Sequence, residues 1–202
     1  MNIKTALPLV ALMGATRMHH FGDAFSLPDA SLAVFFLAGL FSSSRAFFVA
    51  LLVEAALLDY VAISQFNVSD FCISPAYAFL IPTYFAMWFA GRLSANFKSM
   101  QGSEFTLSIP AMATLFIATS SAYLISNSSF YWLSDNVLQR DFSKYVEQLS
   151  HYYAPYLGYA VMYVITGFAA AKIAKMLPDL MAHNSSATAT KMSRYVFLLH
   201  FS

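Results

Sequence analysis

The residues of this chain that could do chemistry are few, and they lie at the ends of long apolar stretches. Cys72 is the single cysteine, His19 and His20 follow the first apolar stretch, and Asp59 lies near the end of the third. A thiolate is a soft ligand for transition metals, and imidazole is a ligand or a proton carrier. A carboxylate at membrane depth is costly enough to indicate a function. These residues therefore favour metal coordination or polar ligand binding.

The sequence around Cys72 is compatible with a reactive thiol. Ser74 followed by Pro75 is typical of a helix N-terminus, with serine as the N-cap and proline at the first helical position. The partial positive charge at that end of a helix favours the thiolate form of a nearby cysteine. The alternative is that Cys72 is a small buried apolar residue, which is the common role of a single cysteine.

The histidines and the acids also have simpler interpretations. His19 and His20 are consecutive, so only one of them is expected to face a helix bundle, and histidines at a helix end are often solvated. Asp59 and Glu54 are the only acids within an apolar stretch, and Asp59 could simply reach the membrane interface. Their spacing places them about 140° apart on a helix, which excludes a carboxylate pair on one face.

The composition identifies the elements that must position these residues. The chain has 202 residues, of which 59% are hydrophobic and only 10% charged. A soluble domain carries about 25% charged residues. This excludes a soluble enzyme, a nucleic-acid-binding protein and a disordered chain, and it predicts an all-α integral membrane protein. The net charge of +1 indicates no bulk electrostatic partner, and one cysteine excludes a disulfide framework.

Six stretches are candidate membrane spans, because a span needs about 20 mostly apolar residues. They are Ile3–Met18, Ala30–Ser44, Ala46–Ser64, Pro75–Gly91, Leu107–Ser126 and Tyr153–Leu177. The first two are short, which predicts tight loops or local thinning of the bilayer. We expect residues 1–177 to form a six-helix transmembrane, substrate-binding domain and residues 178–202 to form a cytoplasmic tail.

The distribution of positive charge predicts the orientation. If the N-terminus is cytoplasmic, eight of the eleven Lys and Arg residues lie inside and three lie outside, namely Arg17, Arg140 and Lys144. This bias favours both termini inside. His20, Asp59 and Cys72 then gather at the outer end of the bundle. A substrate that enters from outside would meet them together.

An amphipathic segment, Asn127–Tyr152, is predicted on the same outer side, between helices five and six. Its apolar residues recur at spacings of four, three, four and three, as an amphipathic helix requires. These residues are Leu138, Phe142, Tyr145, Leu149 and Tyr152. The segment is either a lid over a pocket or an interfacial helix.

The size, the six spans and the topology resemble the substrate-binding S-components of energy-coupling factor vitamin transporters. Ala11 and Ala15 are similar to the first-helix motif through which S-components dock on a coupling subunit. The chain resembles more closely the BtuM-type cobalamin transporters, solitary relatives of S-components in Gram-negative bacteria. These have one functional cysteine near the outer start of the fourth helix, where Cys72 lies in this sequence. His20, Asp59 and Tyr77 also match the family's substrate-site pattern.

The resemblance implies cobalamin uptake across the bacterial inner membrane. Cobalamin would be the bound substrate in a periplasm-facing cavity, with Cys72 as the ligand of its cobalt and decyanation of cyanocobalamin as an associated activity. His20, Asp59 and Tyr77 would contact the substrate. Tyr131 and Arg140 are further candidates for these contacts, Arg140 as the counterpart of a family arginine.

The expected partners are cobalamin and the lipid bilayer, with a shared energising module as a further candidate and no nucleic acid. The chain has no Walker motif and therefore no ATP site, so any ATP-driven step would need another subunit.

Three alternatives remain open at this point. The protein could be an S-component for another small vitamin, with Cys72 incidental. It could be an intramembrane enzyme that uses Asp59, His20 or Cys72, although the sequence has no familiar hydrolase pattern. It could also be a structural protein without a ligand, in which case these three residues would be replaceable.

Overall fold

The described part of the chain is helical. The computed structural model describes residues 3–17, 27–42, 44–66, 68–70, 73–100 and 109–199, and no strand occurs among them. The helices are α1 (Ile3–Arg17), α2 (Ser31–Phe41), α3 (Arg45–Phe66), a 3-10 helix (Pro75–Phe79), α4 (Leu80–Met100), α5 (Ile109–Leu133) and α6 (Phe142–Leu199). The chain forms two compact units, residues 1–165 and residues 166–202. The predicted all-α class is confirmed.

In the part of the chain that the structure describes, three helices are long and apolar enough to cross a membrane: α3, α5 and the part of α6 from Phe142 to Met176. α2 is apolar but has only 11 residues, and α1 has 15. Both are shorter than a straight span requires, as the sequence predicted. The helices agree with a membrane-embedded protein, while the number of six spans and the location of the termini stay predictions.

The exposed surface of α3 is apolar along its length. Val49, Val53 and Leu57 recur at every turn and are exposed, whereas Leu51 and Ala55 are buried on the inner side. Soluble monomers rarely expose a continuous apolar surface of this kind. Lipid is the solvent that suits this face of the helix.

α2 is the central helix of the first unit. Phe35 and Phe36 are fully buried, and a helix that is apolar on all sides is expected to be buried on all sides. α2 crosses α4 at Gly39 and Gly91, where an added Cβ would collide with the carbonyl oxygens of Trp88 and Phe36, respectively. Small residues at a crossing let two helix backbones approach closely, as in many membrane proteins.

The C-terminal helix differs from the prediction. The residues predicted as a separate amphipathic outer helix, a sixth span and a tail lie largely on one continuous helix, α6. Residues 127–133 belong to α5. α6 begins where the Asp141 carboxylate accepts hydrogen bonds from the backbone N–H groups of Ser143 (2.9 Å) and Lys144 (3.2 Å). This cap satisfies the free amides of the first turn, so the helix starts there rather than at Leu138.

The predicted apolar stripe is only partly covered. Tyr145 and Leu149 are half-buried, whereas Leu138, Phe142 and Tyr152 are exposed. Tyr145 bonds to Ser128 of α5 (2.6 Å), and the Leu149 carbonyl accepts a hydrogen bond from Tyr123 of α5 (2.8 Å). The start of α6 therefore packs along α5, and hydroxyl groups contribute to that contact.

Candidate functional site

Charged and hydroxyl side chains meet at one end of the first unit, where α1 ends, α2 begins and the chain enters α4. We call this set the polar cluster. Its members are Arg17, Asp29, Ser31, Asp59, Tyr77 and Tyr84. Successive antiparallel helices bring these positions together, because the end of each helix lies beside the beginning of the next.

A bidentate ion pair between Arg17 and Asp59 is the centre of the polar cluster. Arg17 Nε donates to Asp59 Oδ1 at 2.7 Å, and Arg17 Nη2 donates to Asp59 Oδ2 at 2.6 Å. The side chains of Arg17 and Asp59 are only 5% and 8% exposed. Two parallel charge-assisted hydrogen bonds fix both the distance and the orientation of the carboxylate. Neither charge would be tolerated at this burial without the other.

The remaining terminal nitrogen of Arg17 links α1 to α2 and α4. Nη1 donates to Ser31 Oγ (2.8 Å) and Tyr84 OH (2.7 Å), and it lies 3.5 Å from Asp29 Oδ2. Asp29 Oδ1 in turn accepts hydrogen bonds from the backbone N–H (2.9 Å) and the hydroxyl (2.6 Å) of Ser31. Asp29 therefore satisfies an otherwise free amide at the start of α2 and also faces Arg17.

Tyr77 connects the 3-10 helix to the ion pair. Its hydroxyl donates to Asp59 Oδ2 at 2.7 Å, across 18 residues of sequence. Tyr84, on α4, stacks on Phe35 of α2 with ring centroids 4.3 Å apart. Two residues that the sequence singled out, Asp59 and Tyr77, are thus in direct contact. Asp59 does not simply reach the interface, because its carboxylate is buried against Arg17.

The helix start at Pro75 and the N-cap position of Ser74 are confirmed, but the side-chain hydrogen bond of a serine cap is absent. Pro75 is the first residue of the 3-10 helix, which continues into α4. Ser74 makes no side-chain cap hydrogen bond, and its buried Oγ has no partner among the described residues. The extended backbone of Ser74 has the geometry of a cap without its side-chain bond.

His19, His20 and Cys72 lie outside the described residues. On the described side of Cys72, the Ile73 N–H donates to the Asp70 carbonyl oxygen at 2.7 Å. Four residues of chain lie between Cys72 and Tyr77, which is bonded to the polar cluster.

Tyr131 and Arg140 lie at the connection between α5 and α6. The Tyr131 hydroxyl donates to the Asp141 carbonyl oxygen (2.7 Å) and accepts from the Asp141 N–H (2.9 Å). Arg140 Nη2 donates to the Ser134 carbonyl oxygen at 3.0 Å. Among the described residues, neither side chain bonds to the polar cluster. Their hydrogen bonds stabilise the turn that precedes α6.

Sequence reasoning did not single out Arg17, Asp29 or Tyr84, three members of the polar cluster. Arg17 entered only as one of three positive charges on the outer side. A usable signal was present, because a carboxylate inside an apolar helix needs a cation, and ionisable residues at that depth pair with one another. Arg17 ends α1, at the same predicted level as Asp59.

The polar cluster contains too few ligands to hold a metal by itself. Within the described ranges, no group of three or more His, Cys, Asp or Glu side chains could bind a metal ion. No protein-family model matches the chain, and no curated protein matches it. The functional interpretation therefore rests on the residues of the chain itself.

Proposed function

We propose that this protein takes up cobalamin across the bacterial inner membrane and binds the corrinoid in a cavity that faces the periplasm. The observation that carries the proposal is the 2.7 Å hydrogen bond between Tyr77 and Asp59. It joins two residues of the expected substrate pattern that lie on different helical elements. Three helices that are able to cross a membrane agree with the location.

The polar cluster is suited to the polar rim of a large macrocycle. Corrin carries peripheral amides, which donate and accept hydrogen bonds, around an apolar ring. Asp29 is the most accessible carboxylate of the cluster, at 33% exposed, and it offers an acceptor beside the buried ion pair. A few fixed polar groups at the edge of an apolar bundle are typical of sites that orient a ligand.

Cys72 would bind the cobalt of the substrate. Its thiolate sulfur would donate an electron pair to cobalt(III), and cyanide would leave with the electron pair of its own bond to the metal. The oxidation state of cobalt does not change in this ligand exchange, and the released cyanide takes up a proton from water. A soft thiolate is the donor in this sequence best suited to that step.

The engagement of Asp59 favours a binding role over the alternative of an intramembrane enzyme that uses this residue. Oδ1 accepts one hydrogen bond from Arg17, and Oδ2 accepts one from Arg17 and one from Tyr77. The Asp59 carboxylate therefore has both of its oxygens bound by side chains of the protein itself. It can hold a site in shape while other groups bind the substrate.

Absorption spectroscopy of the purified protein tests the proposal. Protein prepared with cyanocobalamin is expected to retain the corrinoid and to show a spectrum altered by thiolate ligation. Cys72→Ser should restore the spectrum of cyanocobalamin and prevent release of cyanide. Because Cys72 is the single cysteine, wild-type protein alkylated with a maleimide is a matched second control.

Uptake of radiolabelled cobalamin into proteoliposomes tests transport separately. A wild-type protein that retains no corrinoid at micromolar concentrations would contradict the proposal. Retention of another vitamin instead would favour the alternative S-component function. An unchanged spectrum in Cys72→Ser, with corrinoid still bound, would remove the cobalt ligand but leave cobalamin binding.

A further inference from the structure

We propose that Arg17 is the positioning residue of this site: it holds the Asp59 carboxylate in one orientation and thereby fixes Tyr77. This inference rests on the proposed function only where it concerns cobalamin. The geometric relationship between Arg17, Asp59 and Tyr77 can be tested without any ligand.

The arrangement of donors around the Arg17 guanidinium carries the inference. Its Nε and Nη2 bind the two different oxygens of Asp59, so the carboxylate cannot rotate without breaking a bond. Nη1 is directed to Ser31 and Tyr84, which anchors the guanidinium to α2 and α4 at the same time. The position of the Asp59 carboxylate on α3 is therefore set through Arg17 by contacts with α1, α2 and α4.

Tyr77 depends on this orientation. Asp59 Oδ2 accepts one hydrogen bond from the Tyr77 hydroxyl (2.7 Å) and one from Arg17 Nη2 (2.6 Å). The same oxygen therefore connects the two side chains. The 3-10 helix that carries Tyr77 has only five residues. A short helix of this type has weak internal hydrogen bonding, and a tertiary anchor is an effective way to fix it.

Lysine could not replace arginine in this role. A lysine ammonium is a point charge on a flexible stem, whereas the planar guanidinium matches both carboxylate oxygens at once. Arg17→Lys therefore preserves the charge that Asp59 and Asp29 require and removes the bidentate geometry. This variant separates the positioning of Asp59 from the neutralisation of its charge.

The labelling rate of Cys72 provides a readout that needs no substrate. Cys72 is the only thiol, so a small maleimide reports on the chain five residues before Tyr77. Arg17→Lys and Tyr77→Phe are both expected to change this rate about tenfold and in the same direction, which corresponds to the loss of one charge-assisted hydrogen bond. The matched controls Arg45→Lys and Tyr60→Phe alter exposed residues of α3 and should label at the wild-type rate.

A third control separates positioning from general loss of stability. Gly91→Ala should destabilise the crossing of α2 and α4 without touching the polar cluster, and it should leave the labelling rate unchanged. Wild-type labelling in a folded Arg17→Lys protein would overturn the inference. If Arg17→Lys does not fold, Tyr77→Phe decides, because wild-type labelling in that variant also overturns it.

Cobalamin binding is measured independently of the labelling rate of Cys72. Arg17→Lys is expected to weaken cobalamin binding about tenfold, for the same lost hydrogen bond, while Arg45→Lys binds as the wild type does. If wild-type protein binds no cobalamin but the labelling differences occur, the proposed function fails and the positioning role stands. If cobalamin binds and labelling is unaffected, the positioning role fails alone.

Discussion

At the scale of single residues, the buried ion pair between Arg17 and Asp59 is the feature with the largest energetic consequence. Both side chains are almost entirely excluded from solvent. An ion pair of this kind contributes little net stability compared with a well-packed apolar pair, because desolvation offsets the attraction. Removing one partner is different, because it leaves the other charge buried and uncompensated. The pair therefore constrains the sequence more strongly than it stabilises the fold.

Asp59→Asn is expected to destabilise the protein by about 3–5 kcal/mol, because Arg17 would remain buried without a negative partner at bonding distance. Unfolding in mixed detergent, followed by circular dichroism, measures this change. Asp135→Asn is the matched control, because Asp135 is exposed in the turn after α5. A loss below about 1 kcal/mol, the range of exposed ion pairs, would show that Asp59 is not as desolvated as the structure indicates.

At the scale of helical elements, two different kinds of contact hold the first unit together. α2 and α4 meet through backbone contact at Gly39 and Gly91. α5 and the first half of α6 meet through side-chain hydroxyl groups, including Ser120 with Tyr153 at 2.7 Å and Ser128 with Tyr145 at 2.6 Å. The contact between α2 and α4 depends on the absence of side chains at the two glycines. The contact between α5 and α6 depends on side chains that carry hydroxyl groups.

Gly91→Ala should destabilise the protein by about 1–3 kcal/mol or more, because the new methyl group would force two helix backbones apart. Gly158→Ala is the matched control: it lies in the interior of α6, and its added Cβ would meet open space. Alanine has the higher helix propensity, so the control is expected to be neutral or more stable. Thermal unfolding in detergent compares the two, and equal melting temperatures would argue against the close crossing.

The contact between α5 and α6 should be measurable by a double-mutant cycle on Ser120→Ala and Tyr153→Phe. Hydrogen bonds between membrane helices have coupling energies of about 0.6 kcal/mol, with a maximum near 1.7 kcal/mol. We expect a value in this range from unfolding measurements on the four proteins. Tyr152→Phe, at an exposed neighbouring position, should show no coupling to Ser120→Ala. A coupling of zero for Tyr153 would mean that the hydroxyl contact contributes nothing to the helix pair.

At the scale of the whole molecule, the predicted orientation has one revised element. Arg17 counted among three positive charges on the outer side, but its guanidinium is bound within the polar cluster and is not a solvated loop charge. Removing it from the count makes the bias of positive charge toward the inner side larger. That both termini are cytoplasmic stays a prediction from this count.

Cysteine labelling in intact cells tests this orientation. In a Cys72→Ser background, Asp135→Cys, between α5 and α6, should react with a maleimide that cannot cross the membrane in which the protein lies. Asn96→Cys, near the end of α4, should react only after the membrane is permeabilised. Both positions are exposed, so a difference between them reports the side of the membrane and not burial. The reverse pattern would invert the topology, and equal reactivity would contradict the number of spans between the two sites.

The sequence by itself determined the properties that depend on neighbouring residues. A helical, membrane-embedded class follows from the length of the apolar stretches, and the shortness of α1 and α2 was visible in the same way. The start of a helix at Pro75 was likewise a local property. The continuity of α6 was missed, because its polar first turns suggested a separate surface helix, although nothing in the chain interrupts the helical backbone there.

Only the tertiary structure decided which side chains meet. Asp59 was recognised as unusual, but its partner Arg17 lies 42 residues earlier, and no spacing rule connects them. The choice depends on α1 ending beside the last third of α3, an arrangement that neither helix specifies by its own sequence. Hydrophobic periodicity specifies which face of a helix is buried. It does not specify which charged side chain of another helix lies opposite a charge on that face. That pairing is set by helix packing, because a buried charge is stable only where the fold places its counterion.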